Sequence, residues 1–462
     1  MSRDSATSRG LRVMSLRCAA LLLLVTARGA SALTPGDPWR VPPPGACTSE
    51  PPKLLVPPPG DALPVSIPAP GEEIDYAHAD RLRDVVPPEI WEKRERFFYH
   101  GMRMEIGPCY RDYSPPEFFQ KATRELHGGV TLNADGSLAG ARAGLPFPPE
   151  TIALDDPRAG LEWAWNMVYR YAGAGQFGKH QLSVVNDQGV AEQWRGDYFF
   201  VQIRGRADRP DDGYVYPAKT DAAWAAGGTT TNVSTGKDCV FRQYQSGGRK
   251  PDLFEGSSYS RKMERVPGPD AEGALMACLV DASVGAGLFV HGGEPALHDW
   301  KIRAVTDLLA PINASKATWP QDQTRGYGPW GISFADDRWE LRRVIVLEGK
   351  LREGKFEDGT THFRWYLDLQ TLTPLYYAAY GAKGDATGIG YFVSRWSEDR
   401  SDYPRWPDDP QRPVRVLDQI GAAFVDWSQQ HAVRSDTGDQ VSVPRSDEKL
   451  RQSISVGSVH LH

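Results

Sequence analysis

Four segments in the C-terminal half follow one another with only turns between them, and each carries the period-two or continuously apolar pattern of a β-strand. They are 339–350, 362–369, 375–380 and 389–396, separated by turn signals such as Gln370-Thr-Leu-Thr-Pro374 and the glycine-bearing stretch 381–388. Strands in a row with no helix between them predict an antiparallel meander, not a doubly wound parallel sheet. A second run of the same kind is predicted earlier. Residues 180–185, the turn Asn186-Asp-Gln-Gly189 and residues 190–196 read as a hairpin, with 197–204 as a third strand. The span 207–293 is rich in glycine and turn signals and gives no clear element pattern.

Helices are predicted at 89–95, opened by Pro87-Pro88, at 117–126, and after Asp155-Asp156-Pro157. In the last of these, spanning 158–172, Leu161, Ala164, Trp165, Val168, Tyr169 and Ala172 recur on one face, with Glu162, Asn166 and Arg170 opposite. A closing helix is predicted at 414–430, because Leu417, Ile420, Phe424 and Trp427 recur at helical spacing.

The N-terminus places Arg12 and Arg17 before the apolar run 18–25, followed by Ala30-Ser31-Ala32, the order of a cleavable secretory signal. The run is much shorter than the ~20 residues a membrane helix needs. Removal of 1–32 leaves a protein expected in the periplasm. Residues 33–72 form a proline-rich extended leader, since proline removes backbone donors and the stretch has no apolar period. Beyond it we expect a helical part at 73–150, a sheet domain at 151–431 and a polar tail at 432–462. A net charge of −6 argues against a nucleic-acid partner. Cys47, Cys109, Cys239 and Cys278 remain after processing, an even number in an oxidising compartment. Three connectivities are open; Cys239 with Cys278 is the favoured pair, as both fall in the unassigned span.

Catalytic signatures are weak. Gly173-Ala-Gly175-Gln-Phe-Gly178 has the dinucleotide spacing but follows a helix instead of preceding one, so it reads as a helix stop and turn. Asp281-Ala-Ser283-Val-Gly285 falls one glycine short of a nucleophile elbow, although His291, His298 and His362 follow it. Asp336 with Asp337, or Glu348 with Asp368, could serve a glycosidase. The histidines lack ligand spacing, so neither a metal nor a cofactor is expected. A secreted hydrolase of glycans or esters and a non-catalytic envelope scaffold are the alternatives kept. The unusual resource is aromatic: 14 Trp and 18 Tyr. Several lie on the predicted strands, among them Trp339, Phe363, Trp365, Tyr377, Tyr391 and Trp396, and such sheets can enclose an apolar ligand.

Three stretches together carry a family likeness. They are Gly144-Leu-Pro-Phe-Pro148 with Gly160-Leu-Glu-Trp-Ala-Trp-Asn166 and Arg170-Tyr-Ala-Gly173; Asp299-Trp-Lys301 with Pro311-Ile-Asn313; and Arg338-Trp-Glu-Leu-Arg-Arg-Val344 with Phe363-Arg-Trp-Tyr-Leu-Asp368. From about residue 74 to 396 the chain resembles the domain-of-unknown-function family numbered 1329, exported proteins of Gram-negative bacteria. The resemblance implies a fold similar to the lipoprotein carriers LolA and LolB, a mainly β (α+β) protein whose large curved antiparallel sheet forms an unclosed half-barrel around helices. It further implies a hydrophobic small molecule or lipid as cargo, with an inner-membrane exporter and an outer-membrane protein as partners. It carries no catalytic residues. The expected cavity-lining residues are Leu161, Trp165, Val168 and Tyr169 on the helix, with Trp339, Phe363, Trp365 and Trp396 on the sheet.

Overall fold

The computed structural model describes residues 41–47 and 67–437, except 154, 174, 187, 204–205, 209–221, 232–235, 245–251, 258–261, 267–293, 315–334, 355, 357–358, 407–408 and 428–430, together with residue 448. Within the unit Leu33–His462, short elements come first. They are β1 (Glu73–Ile74), α1 (Pro88–Glu92), α2 (Arg94–Phe97), β2 (Met104–Ile106), α3 (Glu117–Leu126), β3 (Thr131–Leu132), β4 (Leu138–Ala139) and α4 (Ala159–Tyr169). A first run of long strands follows: β5 (Gly175–Asn186), β6 (Gly189–Gln202), β7 (Ala222–Thr231), β8 (Gly236–Tyr244), β9 (Asp252–Ser257) and β10 (Glu264–Val266). The second run is β11 (His298–Ala310), β12 (Arg338–Leu351), β13 (His362–Asp368), β14 (Pro374–Tyr380), β15 (Ala386–Trp396), β16 (Leu417–Asp426) and β17 (His431–Thr437).

Among the described residues, fifteen of these strands make one sheet, in the order β1-β2-β12-β13-β14-β15-β16-β17-β5-β6-β7-β8-β9-β10, with β11 also on β12. The protein is mostly strand, and the sheet does not close into a barrel. All pairings are antiparallel except that of β2, which runs parallel to Arg338–Trp339 at the start of β12. Carbonyls of Trp339, Leu341 and Arg343 are taken up in turn by the amides of Gly107, Tyr110 and Leu369. The N-terminal segment is thereby stitched to β12 just before β13 takes over. Register breaks at Val184/Val185, Ile302/Ala304, Tyr366/Leu367, Ala379/Tyr380 and Val393/Ser394 are of the kind that bend strands and sharpen the local twist.

Both faces of the central strands are buried, each in its own core. Val344, Val346, Tyr376, Ala378, Tyr391, Val393, Ala423 and Val425 enter one core, under the segment that holds Ile74, Leu82, Ile90, Phe97 and Tyr113. The alternating Ile345, Leu347, Tyr377, Ala379, Phe392, Ala422 and Phe424 enter the other, under α4. This alternation is the pleat at work: successive side chains leave a strand on opposite sides.

Several expectations are corrected here. Residues 417–426 are the strand β16, not a helix, because both faces of this stretch are needed, one for each core. The second and third strands of the predicted early run are one continuous strand, β6, paired with β5 along its length. The first residues assigned to the polar tail form β17, which joins β16 to β5 and so splices the two runs of strands together. The span 207–293 contains β7 to β10. The helix at 117–126 stands as expected, and that at 89–95 is broken in two at Lys93.

Cys47 and Cys109 form a disulfide. Cys239 is also disulfide-bonded; its expected partner, Cys278, lies outside the described residues.

Candidate functional site

The candidate site is the sheet face beneath α4. The helix begins where Asp156 accepts from the Arg158 amide at 2.8 Å, so the acidic start signal acts one step early and Arg158 holds the cap position without a side-chain capping bond. Glycine at position 160 sets how close the helix lies. A Cβ there would stand 2.6 Å from the carbonyl oxygen of Trp300, so only glycine lets α4 rest against β11 at this point. Of the polar face expected on this helix, Glu162 and Arg170 are half-buried. Asn166 is fully buried, donating to the Phe147 carbonyl at 2.5 Å and accepting from the Phe147 amide at 3.0 Å, while Trp163 is as deeply buried as Trp165.

On the same sheet face, rings from successive strands touch in a continuous series. Trp300 of β11 meets Phe363 of β13 at 5.5 Å, and Phe363 meets Tyr377 of β14 at 6.1 Å. Trp365 then packs on Tyr377 at 4.8 Å and on Phe392 of β15 at 5.8 Å, and Tyr377 reaches Phe424 of β16 at 5.9 Å. Offset and edge arrangements of this kind add about 0.5–1.5 kcal/mol per pair beyond burial. Two glycines make room for them. Gly349 stands opposite Phe363 and Gly390 opposite Phe424, and a Cβ on Gly349 would lie 2.3 Å from the Phe363 ring. Sequence reading missed both, although glycine inside a strand pattern signals close approach.

Of the eight expected lining residues, the structure brings six to this face. Leu161, Trp165 and Tyr169 of α4 share the core with Phe363 and Trp365, and Val168 packs partly buried at its margin. Trp339 and Trp396 belong to the opposite core. Trp339 stands 5.7 Å from Tyr391, and Trp396 stands 5.0 Å from Tyr113. They are removed from the candidate site because their register positions face the N-terminal segment.

Three polar groups lie at this face, and of these Glu294 escaped the sequence reading. Glu294, just before β11, is 9 % exposed, and its Oε1 has no hydrogen-bond partner among the described residues. Burial, reinforced by the nearby charge of Asp135, pushes its carboxyl up to about 7. His298 is fully buried, with Nδ1 3.1 Å from the Glu294 carbonyl oxygen and its ring against Phe356 and Phe363. Arg170 ends α4.

The carboxylates proposed for hydrolysis are committed elsewhere. Asp368 receives Arg342 at 2.7 Å and the Thr371 amide and hydroxyl at 2.9 and 2.8 Å. Glu348 is held by Arg364 at 3.1 Å and Arg303 at 3.3 Å. Glu348 pairs in register with Arg364 and Asp368 with Val344. The two acids are thus four residues apart along the strands, about 13 Å, beyond the span of a glycosidase pair. Ser283 and His291 lie outside the described residues. Among the described residues no helix is long and apolar enough to cross a membrane.

No curated protein matches this sequence. Among solved structures, a DUF1329 family protein from Desulfovibrio piger aligns at 12% identity over 66% of this chain and 99% of its own, with a TM-score of 0.40. A putative outer membrane lipoprotein-sorting protein domain from Vibrio parahaemolyticus aligns at 14% identity over 62% and 92%, with a TM-score of 0.35. A LolA superfamily protein from Nitrosomonas europaea aligns at 8% identity over 64% and 96%, with a TM-score of 0.29. The sequence pattern of one family, described as a protein of unknown function (DUF1329), matches residues 73–395. The match covers well over half of the chain, from the first residue of β1 almost to the end of β15, and takes in α4 and most of the strands beneath it: this protein belongs to the DUF1329 family.

Proposed function

We propose that this protein is an exported, periplasmic carrier that shelters a lipid or other hydrophobic molecule between α4 and the aromatic face of its open sheet. The observation that supports this reading most directly is the pairing of an unclosed sheet with a continuous apolar face on which one short helix packs, against β11 and β12. Burial alone can supply the affinity, since each CH₂ removed from water contributes about 0.8 kcal/mol. Cargo would enter as α4 shifts from its seat on β11 and lie along the rings of Phe363, Trp365 and Tyr377, and leave when the helix returns. In an envelope pathway the giving and receiving partners would be an inner-membrane exporter and an outer-membrane protein. The Cys47–Cys109 disulfide accords with an oxidising compartment.

One observation favours a second reading. The rings under α4 already pack against each other, as they would in a ligand-free envelope scaffold. Native mass spectrometry of the protein purified from its own periplasm, followed by solvent extraction, separates the two. A carrier should release an apolar species and then bind a fluorescent apolar probe competitively with it. A protein that carries nothing and binds no probe is a scaffold.

A further inference from the structure

Arg170 follows Tyr169 directly and takes the chain out of the helix, with φ −54° and ψ 154°. Its guanidinium folds back over the last turn of α4, and Nη1 donates to the carbonyl oxygen of Met167 at 2.9 Å. The side chain is half-buried. Among the described residues no carboxylate pairs with it. Other arginines held in the interior are built differently. Arg206 has Asp208 at 2.6 Å, Arg342 has Asp368 at 2.7 Å, Arg343 has Asp307 at 2.8 Å and Arg434 has Asp436 at 2.8 Å. A guanidinium presents five N–H donors in a planar fork suited to carboxylate or phosphate, and the described residues occupy one of them. Loss of hydration with no acid to compensate draws its pKa down to about 10.

Its position gives the charge a use. Met167 and Tyr169 belong to the aromatic core under α4, whereas Tyr171 packs on Phe118 and Phe119 in a separate cluster. The cation therefore stands where the proposed apolar face ends. A bland role is also available there, since an arginine at a helix C-terminus complements the helix dipole and satisfies a last-turn carbonyl. That role needs one donor and no burial, and leaves unexplained that no carboxylate among the described residues pairs with the cation.

We propose that Arg170 is the head-group anchor of the carrier, and that the cargo is an anionic amphiphile: an apolar chain ending in a carboxylate or a phosphate. The anion accepts from the N–H groups of Arg170 that no described residue occupies, while the chain lies along the face of Phe363, Trp365 and Tyr377. This assignment rests on the carrier reading, and its test distinguishes failure of the one from failure of the other.

The delipidated mature protein is titrated calorimetrically with dodecanoate, dodecyl phosphate and, as the neutral control, methyl dodecanoate. The wild type should bind at least one anion ten times or more tightly than the ester, and the anion preferred identifies the head group. Arg170→Gln should bring the anion to the level of the ester and leave the ester unchanged; Arg170→Lys should keep part of the preference. Equal binding of anion and ester by the wild type overturns the anchor while leaving the carrier intact. The anchor is likewise overturned if Arg170→Gln weakens anion and ester by one factor. Absence of binding by all three compounds overturns the carrier and the anchor together. Should the glutamine variant fail to fold, the wild-type preference and its reduction in the lysine variant still decide the matter.

Discussion

The indole N–H of Trp165 donates to the carbonyl oxygen of Gly136 at 3.0 Å, latching α4 to the turn between β3 and β4. The same turn is gripped from the sheet, where Arg352 Nη1 donates to the Asp135 carbonyl at 2.7 Å. Gly136 has φ +86°, which any other residue would adopt under strain. Helix, turn and end of β12 are thus tied at one point, and a helix that moves to admit cargo must break or carry that tie.

Trp165 is 3 % exposed and packs in the core under α4, so its removal should be costly. Trp165→Ala is expected to lose about 3–5 kcal/mol by cavity formation. Trp165→Phe keeps most of the volume and forfeits the latch, about 1 kcal/mol. Urea midpoints of the two variants check this, and an alanine variant as stable as wild type would show that the ring is not part of the packed core.

Gly160 tests whether the seat of α4 matters. A methyl group there would meet the backbone of Trp300, 2.6 Å from its oxygen and 2.7 Å from its carbon. Gly160→Ala should push the helix from β11 at a cost of about 1–3 kcal/mol. If α4 is the lid, the same variant should also take up an apolar probe faster in stopped-flow mixing. A change in stability with the uptake rate untouched would place the lid elsewhere.

Glu294 makes stability depend on pH. Its carboxyl is raised from 4.5 to about 7 in the fold, so the folded state keeps the proton to higher pH than the unfolded chain. Its contribution is fully present below pH 4.5 and is lost as the pH rises through about 7. Glu294→Gln removes the titration and should stabilise the protein at pH 8 by up to about 3 kcal/mol, with little difference at pH 4.5. Melting curves of the pair across that window measure it; a gap that widens toward acid contradicts the assignment.

The Cys47–Cys109 disulfide spans a sequence separation of 62 and pins the start of the described chain to the N-terminal core. Restricting an unfolded loop of that length contributes about 4 kcal/mol in the chain-entropy account. The double variant Cys47→Ser, Cys109→Ser should therefore melt well below wild type. Equal melting temperatures for the double variant and the oxidised wild type would mean the bridge is dispensable to the fold.

Local pattern determined a good deal of this protein. The β12–β15 meander was readable because Trp339 to Lys350 and its successors are bounded by turn residues that no helix tolerates. The helix α3, Glu117–Leu126, was readable because its apolar residues keep a helical period beside solvent. Gly173-Ala-Gly175 was read as the helix stop, but α4 already ends at Tyr169 with Arg170 at its C-cap, and Gly175 opens β5. Membership of the sheet by Phe363 and Trp365, and of α4 by Leu161, Trp165 and Tyr169, followed from the same patterns.

The tertiary structure decided what periodicity cannot encode. β16 looked helical because Leu417, Ile420, Phe424 and Trp427 are spaced three and four apart. A strand buried on both faces loses the alternation that would mark it, and only the pairing of Ala423 with Tyr391 and Arg434 fixes it as extended. Trp339 and Trp396 share composition and strand context with Phe363 and Trp365, yet fall to the opposite core, because a register step of one residue exchanges the faces of a sheet. The lack of a carboxylate partner for Arg170 among the described residues, and the burial of Glu294, were invisible for a related reason. Whether a charge has a partner depends on residues brought near by the fold, and no local stretch of sequence records that distance.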